Sequence, residues 1–137
     1  MTDQVATVGA PIRVLIVEDE PAICSALSHL LRRAGFDVCV AHSPPDAELL
    51  LSDSIDAMVL DLRMPHMRGD VFFYLATARF PHLRRRTLFM TGDISSEAEL
   101  IIGHTGCPWL EKPFQNAELV AALKRLIPAT EVPVSAR

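Results

Sequence analysis

The sequence predicts an α/β domain in which five parallel strands alternate with five helices that cover both faces of the sheet. Three observations carry that expectation. Short runs of consecutive apolar, largely β-branched residues recur along the chain, as strands buried on both faces require. Amphipathic segments of helical period separate them. Nearly every apolar run ends at a chemically active residue, and open α/β sheets collect their ligand-binding groups at the carboxyl ends of strands.

Residues 1–11 are small and polar without period and read as a flexible N-terminal extension. Ile12 to Val17 is the first strand; it stops at Glu18-Asp19-Glu20-Pro21, and the proline suits the first turn of a helix. That helix repeats Ile23, Leu27, Leu30, Leu31 and Ala34 and stops at Gly35. Phe36 to Ala41 is the second strand. Ser43-Pro44-Pro45-Asp46 reads as an N-cap and first turn, leading into Ala47, Leu50 and Leu51.

Ala57-Met58-Val59-Leu60-Asp61 is the third strand, too short for a helix and ending in one aspartate. Gly69-Asp70 opens a helix through Phe72, Leu75, Ala76 and Arg79, which Pro81 ends. A basic loop, Arg84-Arg85-Arg86, precedes the fourth strand, Thr87 to Thr91, closed by Gly92-Asp93. Ser95-Ser96-Glu97 caps a short helix through Leu100 and Ile101. Cys107 to Glu111 is the fifth strand, with Pro108 near its start. Asn116 is read as the cap of a last helix carrying Leu119, Leu123, Leu126 and Ile127, and residues 128–137 as a flexible C-terminal tail.

At 137 residues this is one domain, with roughly two thirds of its unfolded surface available for burial. Half of the residues are hydrophobic and 22% are charged, a globular composition. No apolar run approaches the roughly 18 residues that cross a bilayer, and the start has no secretory pattern, so no membrane association is expected. The net charge of −4 gives no basic footprint for direct nucleic-acid contact; Arg84-Arg85-Arg86 reads as a solvated loop. Cys24, Cys39 and Cys107 lack CxxC spacing, which points to reduced thiols and a cytoplasmic setting. The five histidines lack metal-site spacing.

The strand ends therefore deliver Glu18 and Asp19, Asp61, Thr91 and, after the fifth strand, Lys112. Carboxylates brought together raise each other's pKa unless a cation sits among them. Hard oxygen ligands with room for water suit Mg²⁺.

These segments carry a resemblance. Glu18-Asp19-Glu20-Pro21, Leu60-Asp61-Leu62-Arg63-Met64-Pro65, Thr91-Gly92 and Lys112-Pro113-Phe114 stand in the order and spacing of the receiver domain of bacterial response regulators. The resemblance covers about residues 12 to 127. It implies the flavodoxin-like (CheY-like) fold with strand order 2-1-3-4-5, and a stand-alone, single-domain member, since no output domain follows Ile127. It further implies a signalling phosphoacceptor in a two-component or phosphorelay system. Asp61 would take a phosphoryl group from the phosphohistidine of a histidine kinase or a histidine phosphotransfer protein. Glu18, Asp19, Asp61 and the backbone carbonyl of Arg63 would hold Mg²⁺, with Mn²⁺ as an alternative ion. Lys112 would pair with Asp61 and then with the phosphoryl group, from a cis Lys112–Pro113 bond. Thr91 would bind a phosphoryl oxygen and, with an aromatic on the fifth strand, throw a switch; that aromatic is Trp109, where the family more often has Tyr or Phe. The output would be the surface of fourth helix, fifth strand and fifth helix, read by an effector protein or by a second copy in a phosphorylation-dependent homodimer.

Two residues are particular to this chain. Arg63 and Asp93 are expected to flank the mouth of the site and to pair across it, hindering water. Arg63 also argues against a haloacid-dehalogenase-type phosphatase, which needs a second aspartate at that place. No GxGxxG or GxxxxGK[ST] pattern supports a nucleotide-binding enzyme. A phosphorylation-independent module of the same fold would be expected to lose one of the acids or the lysine, and none is lost. The chain is therefore expected to be no enzyme beyond catalysing its own phosphorylation and slow dephosphorylation.

Overall fold

The computed structural model describes residues 11–93 and 95–128, so the expected N-terminal extension and C-terminal tail fall almost wholly outside the described residues. In chain order the elements are β1 (Arg13–Val17), α1 (Pro21–Arg33), β2 (Asp37–Ala41), α2 (Pro44–Leu50), β3 (Ala57–Asp61) and α3 (Gly69–Arg79). A 3₁₀ turn (Pro81–Arg85) precedes β4 (Thr87–Thr91), α4 (Ser96–Thr105), β5 (Trp109–Glu111) and α5 (Asn116–Arg125). All strand pairs are parallel and the order is β2-β1-β3-β4-β5.

Side chains of successive strand residues point to opposite faces, and the two cores follow that alternation. Leu15, Val17, Met58, Leu60 and Phe89 join Ala47 and Leu51 around α2, Phe72 and Phe73 of α3, and Ala98 and Ile102 of α4. Val14, Ile16, Val59, Leu88 and Met90 join Leu27 and Leu31 of α1 and Leu119 and Leu123 of α5. Val14 to Val17 of β1 and Ala57 to Leu60 of β3 are therefore buried on both faces, which is why they appear in the sequence as unbroken apolar runs.

The register fixes the site. Val17 lies beside Leu60, Asp61 beside Met90, and Thr91 beside Glu111. The carboxyl ends of four strands thus finish at one level.

Four local expectations need correction. In α2 and α4 the inward residues are four apart, Ala47 with Leu51 and Ala98 with Ile102, whereas Leu50 is 39% exposed and Leu100 65% exposed. A short helix exposes most of its circumference, so a choice of phase one residue off turns the side chain outward. β5 begins at Trp109, because Pro108 has no N–H and the Cys107 N–H is taken by Thr105 Oγ1 at 3.1 Å. Gln115, not Asn116, precedes the first turn of α5; its N–H donates to Glu118 Oε1 at 2.8 Å. The basic loop is in part an ordered 3₁₀ turn, Pro81–Arg85. Ser43 and Ser95 do cap α2 and α4, accepting from the N–H groups of Asp46 and Ala98 at 3.3 and 3.1 Å.

The burial pattern sets a contrast for urea unfolding. Leu31→Ala is expected to lose about 2–5 kcal/mol. Leu100→Ala is expected to change stability by less than about 0.5 kcal/mol. Equal losses would place Leu100 in the core instead.

Candidate functional site

Lys112, just beyond β5, bridges two carboxylates delivered by other strands. Its Nζ stands 2.8 Å from Glu18 Oε1 and 3.2 Å from Asp61 Oδ2. Lys112 N–H also donates to the Thr91 carbonyl at 2.8 Å, which ties its backbone to β4. The Lys112–Pro113 peptide bond is cis.

Glu18 is fully buried, and its second oxygen, Oε2, accepts the Glu20 N–H at 3.1 Å. Asp61 is also buried; its Oδ1 faces the Arg63 N–H at 3.4 Å, at the outer edge of a hydrogen bond. Asp19 is half-buried at the rim. One carboxylate oxygen from each of Glu18, Asp19 and Asp61 lies within 4.8 Å of the others.

Burial dominates the electrostatics. Desolvation raises the Asp61 carboxyl from its ordinary value, although the Lys112 charge pulls it down. Desolvation likewise raises Glu18, against its hydrogen bond from Lys112. For Lys112 burial favours the neutral amine, but the Glu18 hydrogen bond and the charges of Asp61 and Glu18 together outweigh it, and its pKa is raised. Three acids with one ammonium leave the cluster short of positive charge. The donors are all oxygen and they converge, so the residues fit a hard divalent cation such as Mg²⁺.

A second layer closes over this cluster. Thr91 Oγ1 accepts the Asp93 N–H at 2.9 Å and donates to the Asp93 carbonyl at 3.3 Å. Asp93 Oδ2 takes Arg63 Nε at 2.9 Å, and a second Arg63 nitrogen lies 2.5 Å from the same oxygen. The Asp93 carboxyl is lowered to about 2, first by the Ser95 N–H at 2.9 Å and then by Ser95's side chain and Arg63. Arg63 and Asp93 thus meet at the rim, and Arg63 also reaches Glu97 on α4 at 3.4 Å. Trp109 sits beside Phe89 in the ladder, half-buried against the core on the face that Thr91 shares.

Two contributors were not anticipated from sequence. Glu97 was read only as part of a helix cap. Gly69 was read only as a helix start, yet a Cβ there would lie 2.2 Å from the Asp61 carbonyl oxygen and 3.2 Å from Leu62 Cα. Its N–H donates to the Leu62 carbonyl at 2.8 Å. The available signal was a glycine at the first helical position, where propensity disfavours it and no left-handed turn calls for it.

The chain can now be placed among known proteins. A family model, the response regulator receiver domain, matches residues 14–124. The chain belongs to the response-regulator receiver family. It is 35% identical over 117 residues to the transcriptional regulatory protein CpxR of Escherichia coli, covering 84% of this chain and 49% of CpxR. It is 36% identical over 123 residues to the transcriptional regulatory protein TrcR of Mycobacterium tuberculosis, covering 87% of this chain and 46% of TrcR. The receiver thus spans about half the length of these curated relatives. Among solved structures, the chemotaxis protein CheY4 of Vibrio cholerae superimposes with a TM-score of 0.76 at 28% identity, covering 86% of this chain and all of CheY4. The fold is the CheY-like one that the motifs imply. No helix among the described residues is long and apolar enough to cross a membrane.

Two outcomes follow from this geometry. Gly69→Ala is expected to cost about 1–3 kcal/mol, at the upper end because backbone must move, whereas Gly103→Ala, on the helical backbone of α4 with open space around its Cβ, is expected to be neutral or stabilising by up to about 1 kcal/mol. A raised carboxyl pKa in the folded state gives stability that is full below the unfolded value and is lost as pH rises through the folded one. With a chelator present, the share of stability tied to Glu18 and Asp61 should therefore decline as pH rises from about 4. Asp61→Asn should flatten that decline in urea titrations; an identical slope would contradict the raised value.

Proposed function

We propose that Asp61 is the phosphoacceptor of a two-component or phosphorelay system, receiving its phosphoryl group from the phosphohistidine of a histidine kinase or a histidine phosphotransfer protein. The observation that carries this reading is the Lys112 ammonium between Asp61 and Glu18, with a third acid, Asp19, converging on them. An Asp61 oxygen forms its bond to phosphorus as the P–N bond breaks; the imidazole leaves with the electron pair and takes up a proton. Glu18, Asp19, Asp61 and the Arg63 carbonyl would hold Mg²⁺, or Mn²⁺, which supplies charge neutralisation for the phosphoryl oxygens.

Lys112 then exchanges its contact with Asp61 for one with a phosphoryl oxygen. The Thr91 hydroxyl turns its proton from the Asp93 carbonyl to the phosphoryl group, loosening the β4–α4 connection. Because Thr91 and Trp109 share a sheet face, that movement has a packed route to the α4-β5-α5 surface, where an effector or a second copy reads it. Arg63, clasped by Asp93 and Glu97, stands at the rim and obstructs in-line water, so the protein catalyses its own phosphorylation and only slow dephosphorylation. Three reduced thiols and the family assignment support a cytoplasmic place.

Acetyl phosphate with Mg²⁺ should add one phosphoryl mass to the chain, mapped to the peptide containing Asp61. Chelation or Asp61→Asn should abolish it; an equal adduct in Asp61→Asn would move the acceptor elsewhere. Mg²⁺ alone should raise the melting temperature of the wild type and do so less in Asp19→Asn. Arg63→Ala should shorten the lifetime of the acyl phosphate several-fold, and an unchanged lifetime would remove the shielding role.

A further inference from the structure

Far from the acids, at the opposite ends of the strands, a groove of about 550 Å³ lies between the 3₁₀ turn and the end of α5. Arg84, Arg85 and Arg125 line it, together with Pro81, Leu126 and Pro128, and no described acidic residue does. Arg84 and Arg85 come from one element and Arg125 from another, and all are exposed. On a chain of net charge −4, three arginines around one groove run against the overall balance.

The turn that presents them is held in place. His82 Nε2 is 2.7 Å from the Ile55 carbonyl, and the Thr87 hydroxyl donates to the Leu83 carbonyl at 2.8 Å. The Arg86 carbonyl accepts the Met58 N–H at 2.9 Å, joining the turn to β3. Leu83 beneath is fully buried. The backbone that carries Arg84 and Arg85 is therefore fixed, and their side chains reach solvent from it.

We propose that this groove is a binding site for a diphosphate or longer phosphate chain, separate from the phosphoacceptor site. Planar guanidinium forks match phosphate oxygens with paired N–H donors, and several of them around one concavity favour adjacent phosphoryl groups over a single one. Inorganic pyrophosphate and the phosphate tail of a nucleotide share this chemistry. Pro81, Leu126 and Pro128 offer an apolar wall that a nucleotide's ring would meet and pyrophosphate would not.

Calorimetric titration of the full chain with pyrophosphate, ADP and adenosine, in chelator so that the acidic cluster does not take metal complexes, tests the site. Saturable one-to-one binding of pyrophosphate is expected, with none of adenosine. Tighter binding of ADP than of pyrophosphate would assign the site to nucleotides, and equal binding to the phosphate chain alone. Arg84→Ala combined with Arg125→Ala should weaken binding roughly a hundredfold, at about tenfold per charged hydrogen-bonding partner removed, with melting temperature and phosphorylation of Asp61 unchanged. No saturable binding at millimolar pyrophosphate or ADP would overturn the proposal. So would affinity untouched by the double variant, or binding shown only by a long oligonucleotide.

Discussion

The Lys112 ammonium, held between Glu18 and Asp61, is the interaction on which the rest of the site depends. Two buried carboxylates at the ends of neighbouring strands would repel each other and resist desolvation. Lys112 makes their burial tolerable, and it arrives from the far side of β4, so the sheet must be in register for the contact to exist. One ammonium is nevertheless insufficient for three acids. The deficit leaves a place for a divalent cation and, with it, for a phosphoryl group. The same imbalance that limits stability is thus what makes the site useful.

The surroundings keep that arrangement fixed while leaving one part free to move. Gly69 lets α3 start against the Asp61 carbonyl, so the end of β3 is closely packed. The β4–α4 connection is held differently, by the Thr91 hydroxyl, by Asp93 and by Arg63 reaching across from the β3 side. The Arg63–Asp93 pair is partly exposed, and such ion pairs are individually weak. In the proposed switch, a phosphoryl group beside Thr91 would compete with these contacts for the hydroxyl. Core contacts of Phe72, Phe89 or Leu60 could not be exchanged at comparable cost.

Much of this was legible in the sequence because the sheet is buried on both faces. Apolar runs marked β1, β3 and β4, and the residue that ends or follows each of them, Glu18, Asp61 or Thr91, lies at the site. Glu18, Asp61, Thr91 and Lys112 needed only a parallel topology to converge. What escaped was tertiary or depended on phase. Leu50 and Leu100 are as hydrophobic as their buried neighbours, and one turn of a short helix does not say which faces inward. Gly69 is constrained by a carbonyl that is adjacent only after folding. Arg84 and Arg85 are exposed, as the sequence suggested, but that Arg125 of α5 lines the same groove is visible only after folding. Side-chain type identified the chemistry; distance along the chain concealed the companions.

The claim that a phosphoryl group at Asp61 is sensed through Thr91 and Trp109 is most directly tested by the fluorescence of the chain's single tryptophan. Beryllofluoride, a phosphoryl mimic, should change that fluorescence saturably when Mg²⁺ is present. Asp61→Asn should abolish the change, and Thr91→Ala should diminish it while the mimic still binds. A wild-type signal that stays constant although the mimic is bound, or one that persists in Asp61→Asn, would contradict the account.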